Sequence, residues 1–105
     1  MIKKIKIGYK TYTIRETDKM SDVDTMYGRC DHAANEIVIN KGQHNDEKPN
    51  TLMHEILHGV FYTMGMNNSD VTEQEEYIVN TMSNGIMQVF MDNPHLLEYI
   101  QRKNP

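Results

Sequence analysis

The spacing of apolar positions divides the chain in two. Over the first forty residues they alternate with polar ones, in "IKKIKI" (2–7), "TYTIR" (11–15) and "NEIVIN" (35–40). A period of two belongs to a strand that buries one face. "GYK" reads as a turn between the first two runs, and 18–24 as a polar connection. "MYGRCD" (26–31) and "NEIVIN" predict a hairpin around "DHAAN", with Ile37 and Ile39 on one strand face. A three- or four-stranded, mainly antiparallel sheet is the expected product.

After the polar loop "GQHNDEKPN" the period lengthens to that of helices. The first helix is predicted over 49–64, with Pro49 tolerated in its first turn and Gly65 closing it. At ~100° per residue, Leu52, Met53, Ile56, Leu57, Val60, Phe61 and Met64 fill one half of its wheel. His54 and His58 lie just past the edge of that half, and Glu55 lies further round. The second helix is predicted over 72–91, where "TEQE" forms a capping box of Thr72 and Glu75. Its apolar face is Ile78, Met82, Ile86 and Val89. "DNP" ends it and opens a third helix reaching 102, with Asn93 as cap and Pro94 in the first position. A sheet followed by helices is an α+β arrangement. The 105 residues suit a single domain, 1–105, with one modest core.

Charge narrows the function classes. A net charge of −4 argues against a nucleic-acid binder, whose affinity comes from neutralising phosphates. Lys3, Lys4 and Lys6 interleave with Ile2, Ile5 and Ile7 and read as the solvated side of a strand. Cys30 is the single cysteine, so no internal disulfide can form, and no second Cys accompanies it as a thiolate ligand. No segment approaches the ~20 apolar residues of a membrane span, and "MIKKIKIGYK" lacks the apolar stretch of a signal peptide. The expected location is the cytoplasm of the cell that makes the protein. The nine methionines read as adaptable filling on the helices.

The chemistry concentrates in "TLMHEILHGVF" (51–61). Two histidines four apart on a helix have Cβ atoms about 5–6 Å apart, so both imidazoles can reach one Zn²⁺. Glu55 cannot reach the same point without crowding, but it can take a proton from a water held there. The spacing thus assigns His54 and His58 as metal ligands and Glu55 as general base. An accidental copy could fall in a loop or on an exposed face; this one borders the apolar stripe of an amphipathic helix.

Catalytic zinc takes three protein ligands as a rule. A third His six residues after the second would stand at 64, which is Met64. The acidic start of the next helix, "TEQEEYIVN", is the natural donor if that helix packs antiparallel on the first. Glu73 suits the helix dipole. Glu75 competes as a ligand, although the capping box also claims it. Glu76 borders the apolar face beside Asn80 and is favoured, with Asn80 placed to accept a hydrogen bond from a ligand imidazole.

"TLMHEILHGVF" followed by "EYIVNTMS" resembles the small gluzincin-type metallopeptidases of phages and prophages, related to the ImmA/IrrE group. In those, a helical H-E-x-x-H is followed by E-x-x-A-D on the next helix. Here Glu76-x-x-Val79-Asn80 falls on the second pattern, with Val for Ala and Asn for Asp. The resemblance implies a minimal zincin-like fold with Glu76 as third zinc ligand and Asn80 behind the ligands. Asn in place of Asp keeps an acceptor and removes a charge. "YGRCD…NEIVIN" resembles, more weakly, the strand pair before the zinc helix.

The expected function is zinc-dependent peptide hydrolysis, with a peptide or protein substrate of which a phage or host regulator is one candidate. Two rivals stand beside it: a zinc-stabilised regulatory binding protein with little turnover, and a zinc hydrolase of non-peptide amides. His32, His44 and His95 read as surface histidines, with substrate contact or oxyanion stabilisation as the alternative. Tyr62, one turn beyond His58, reads as packing rather than as a residue that positions a ligand. Neither the role of Tyr27 nor the oligomeric state can be read from the sequence.

Overall fold

The computed structural model describes residues 2–18, 27–65 and 72–102. Four strands, β1 (Lys4–Ile7), β2 (Lys10–Thr17), β3 (Gly28–Asp31) and β4 (Glu36–Asn40), precede helices α1 (Lys48–Thr63), α2 (Thr72–Asp92) and α3 (Leu96–Gln101). The class is α+β, as the pattern of periods predicted. From residue 19 onward the predicted connection 18–24 lies outside the described residues.

The sheet is mixed, in the order β1-β2-β4-β3. β1 pairs with β2 and β3 with β4 antiparallel, each through a tight turn, while β4 runs parallel to β2. The parallel pair arises because β3 takes the outer edge and its hairpin returns β4 into the space beside β2. In that hairpin Asn35 adopts a left-handed φ of 54°, and Asp31 Oδ1 accepts a hydrogen bond from the Ala34 amide at 2.9 Å. Asn and Asp supply this turn chemistry more readily than other residues.

Strand alternation puts Ile7, Tyr12, Ile14, Ile37 and Ile39 on one face, where they form the buried core, with Leu52, Ile56 and Val60 of α1 packed against them. Two glycines let α1 lie this close. A Cβ on Gly59 would meet Ile7 Cδ1 at 2.8 Å, and a Cβ on Gly28 would meet Thr51 Cγ2 at 2.8 Å. α1 ends with backbone bonds from Met64 N to Val60 O and from Gly65 N to Tyr62 O, Gly65 taking φ +77°. This is the predicted glycine cap.

The later helices depart from expectation. α2 turns Val79 and Ser83 inward, leaving Ile78, Met82 and Val89 of the predicted apolar face exposed. α2 meets the rest of the molecule chiefly through α1. A short Ser and a compact Val allow that approach and turn Glu75 and Glu76 toward the histidines. α3 begins at Leu96 rather than Pro94. Asn93 Nδ2 donates to Val89 O at 2.9 Å, so Asn93 caps the end of α2 and not the start of α3. Among the described residues, no helix is long and apolar enough to cross a membrane.

Candidate metal centre

His54 and His58 project from one side of α1, their ring centroids 4.8 Å apart. Their Nε2 atoms lie 3.2 Å from each other. Glu76, from the second turn of α2, closes the triangle: Oε1 is 3.2 Å from His54 Nε2 and Oε2 is 3.1 Å from His58 Nε2. These are the three residues expected as ligands. Among the described residues they form a group able to hold a metal ion, with ligand atoms all within 4.8 Å of one another.

The spacing and the donor set can be tested against Zn²⁺. Bonds of ~2.0–2.1 Å at tetrahedral angles place ligand atoms ~3.3 Å apart, close to the separations found. Proton count points the same way. In the tautomer whose Nδ1–H donates to Glu75 Oε2 at 2.6 Å, the lone pair of His58 is at Nε2. That lone pair, the second imidazole and the Glu76 carboxylate then converge with few protons among them, an arrangement that a cation satisfies. Burial, and then the neighbouring His58, lower the pKa of His54, favouring the neutral ring that ligation needs.

Glu75 and Glu76 therefore divide the work that the sequence left open. Glu76 faces both Nε2 atoms, while Glu75 bonds the far nitrogen of His58 and fixes its tautomer. Asn80, expected to bond a ligand imidazole, makes no such bond. It is exposed, and its carbonyl accepts from Ser83 Oγ at 3.3 Å. The capping box cannot be followed to its other member, since the Thr72 side chain lies outside the described residues.

Glu55 is only 6% exposed, far more buried than its place on the helical wheel suggested. The reason is β3, which crosses that side of α1: a Cβ on Gly28 would come within 3.4 Å of Glu55 Cγ. Burial raises the Glu55 carboxyl to about 7, opposed by His58 and reinforced by Glu76. A carboxylate in this position is a proton acceptor near neutral pH.

Two adjoining clefts meet at the cluster. One, about 300 Å³, is lined by Gly28, Arg29, Cys30 and His32 together with His54, Glu55, His58 and Glu76. The other, about 570 Å³, extends between Tyr27, Asn50 and Thr51 on one side and Asn80, Ser83 and Asn84 on the other. They share Gly28, His54, Glu55 and Glu76, so the cluster sits in the floor of a continuous groove. One wall of that groove is the edge strand β3.

Gln43 holds this wall and was missed in the sequence. Its Nε2 donates to the carbonyls of Tyr27 and Asn40, each at 2.9 Å, and its Oε1 accepts from Thr51 Oγ1 at 2.7 Å. The ends of β3 and β4 are thereby tied to the first turn of α1. No local pattern marks a loop Gln for such a task.

Of the other histidines, His44 and His95 are exposed and pair with Asp46 at 3.9 Å and Glu98 at 3.6 Å. His32 is not a surface residue; it is half-buried in the cleft wall, with Tyr62 stacked on it at 4.3 Å. Burial raises the Cys30 thiol to about 12, so Cys30 is a protonated neighbour of the site rather than a thiolate. No family model matches the chain, and no curated protein or solved structure matches it significantly.

Proposed function

We propose that the protein is a zinc-dependent metallopeptidase of the gluzincin type, as its resemblance to the small phage and prophage enzymes implies. The observation that carries this reading is the convergence of His54, His58 and Glu76 in the floor of a groove, with buried Glu55 beside them. His54 and His58 would bind Zn²⁺ through Nε2 and Glu76 through its carboxylate. Bound there, the metal supplies Lewis acidity, polarising a substrate carbonyl and acidifying a water.

The remaining work falls to the chain. Glu55 removes a proton from the attacking water and returns it to the leaving amine. Glu75 keeps the proton of His58 on Nδ1, so that Nε2 stays free for ligation. The uncharged polar wall of Asn50, Thr51, Asn80 and Asn84 can bond main-chain amides without selecting a charge. Among the described residues β3 has no strand on its outer side, and an extended peptide laid along it would find backbone partners. Those two features favour a peptide over a small amide.

A second reading, a metal-stabilised binding protein with little turnover, draws support from the bare apolar side chains of α2 and α3. Zinc-loaded wild type and Glu55→Gln, compared on a pool of quenched fluorescent peptides, separate the two. Turnover that disappears in Glu55→Gln with zinc content unchanged supports the peptidase. No cleavage by zinc-loaded wild type rejects it.

A further inference from the structure

We propose that His32, at the start of the β3–β4 turn, donates a hydrogen bond from Nε2 to the carbonyl oxygen of the substrate as that oxygen becomes an anion. This rests on the peptidase reading above and adds a side chain of the protein that stabilises the developing oxyanion.

The tautomer follows from the neighbours of the other ring nitrogen. Tyr12 Oη lies 3.0 Å and Cys30 Sγ 3.6 Å from His32 Nδ1. Tyr12 is fully buried, and burial holds both its hydroxyl and the Cys30 thiol protonated, each raised to about 12. Two proton donors therefore converge on one nitrogen. If Nδ1 itself carried a proton it could satisfy only one of them as an acceptor, and neither neighbour could donate to it. The arrangement that uses these donors leaves Nδ1 as the acceptor and puts the proton on Nε2.

Placement follows from what Nε2 lacks. No hydrogen bond of His32 Nε2 occurs among the described residues. No buried side-chain nitrogen or oxygen there is without a partner. Nε2 is therefore accessible, on a residue that lines the cleft holding His54, Glu55, His58 and Glu76. The ring is held on its flat side by Tyr62, nearly parallel at 15°, and Lys10 Nζ bonds the His32 carbonyl. A neutral donor fixed on three sides and open on the fourth is preorganised in the way that oxyanion stabilisation requires.

In the step itself, water oxygen bonds to the carbonyl carbon as Glu55 takes the water proton. The carbonyl π pair moves onto oxygen, where the His32 Nε2–H meets it. When that pair returns, the C–N bond breaks and the amine leaves with the proton held by Glu55. His32 donates a hydrogen bond throughout and loses no proton.

The test compares zinc-loaded wild type, His32→Phe, which keeps the stack on Tyr62, and His32→Gln, which keeps an N–H. Each is assayed on the quenched peptide pool and titrated with an alanine-based phosphinic pseudotripeptide, whose tetrahedral anion mimics the adduct. His32→Phe should lose about 10²–10³-fold in kcat and weaken the phosphinic peptide by a similar factor, with KM and zinc content little changed. His32→Gln should recover about tenfold of each loss, which a purely structural role would not produce. Long-range ¹H–¹⁵N spectra of wild type should place the ring proton on Nε2, and they need no variant to fold. Unchanged kcat and phosphinic affinity in His32→Phe, or a proton found on Nδ1, overturns the proposal. If zinc-loaded wild type cleaves nothing, the peptidase reading fails, and the phosphinic titration still decides whether His32 binds a tetrahedral anion.

Discussion

The sheet with α1 and the pair α2–α3 are built to different standards. In the first, Tyr12, Ile37, Val38 and Ile39 are fully buried, and Gly28 and Gly59 bring the helix into contact with the strands. In the second, Val79 is the only fully buried apolar side chain among the described residues, while Tyr77 and Met91 are more than 70% exposed. The first half supplies two imidazoles and the buried Glu55 carboxyl from well-packed positions. The second supplies Glu75 and Glu76 from a helix that rests on α1. The candidate metal cluster lies across this seam, so a bound cation would act as a cross-link between a well-packed half and a lightly held one.

The largest expected effect lies in the packed half. Glu55→Gln should cut turnover by about 10²–10⁴-fold while zinc content by elemental analysis stays stoichiometric. His54→Ala and Glu76→Ala should instead lose the metal. Normal occupancy in either would break the picture of a cluster shared across the seam.

Core truncation compares the halves directly. Ile37→Ala should destabilise by about 2–5 kcal/mol in urea unfolding, whereas Met82→Ala on the exposed face of α2 should stay within about 0.5 kcal/mol. Equal losses would mean that α2 is covered in solution.

Metal removal comes next. Zinc at about a thousand times its Kd should stabilise the bound form by about 4 kcal/mol, seen as slower hydrogen exchange in α2 more than in the strands. Chelation should reverse this. Uniform protection across both halves would show that the seam does not open separately. Glu75→Ala should keep zinc at saturation but weaken its affinity by about 10–100-fold, because His58 loses the carboxylate that orients it.

The smallest effect concerns the ion pair that fastens the start of α1 to the end of β2. Lys48 Nζ lies 2.8 Å from Glu16 Oε1 and holds that carboxyl below its usual pKa. A depressed carboxylate stabilises the fold above its unfolded pKa and ceases to do so as pH falls through the folded value. Lys48→Met should therefore cost under about 1 kcal/mol at neutral pH, and progressively less as pH falls through the lowered pKa of Glu16, in a series of unfolding curves.

What the sequence by itself determined is what lies within one element. Alternation marked the strands, and Ile37 and Ile39 do face the core, because side chains two apart share a face wherever the strand goes. The four-residue interval put His54 and His58 on one side of α1, because helix geometry is local. Glycine after Met64 announced the helix end for the same reason. Tertiary packing decided everything between elements. Only the seat of α2 on α1 settled that Glu76 faces both imidazoles while Glu75 holds the far side of one of them. It also turned Val79 inward in place of the broader apolar stripe. Only the crossing of β3 over α1 buried Glu55 and brought His32 into the cleft. These outcomes depend on distances between residues far apart in the chain, and no periodicity encodes such distances.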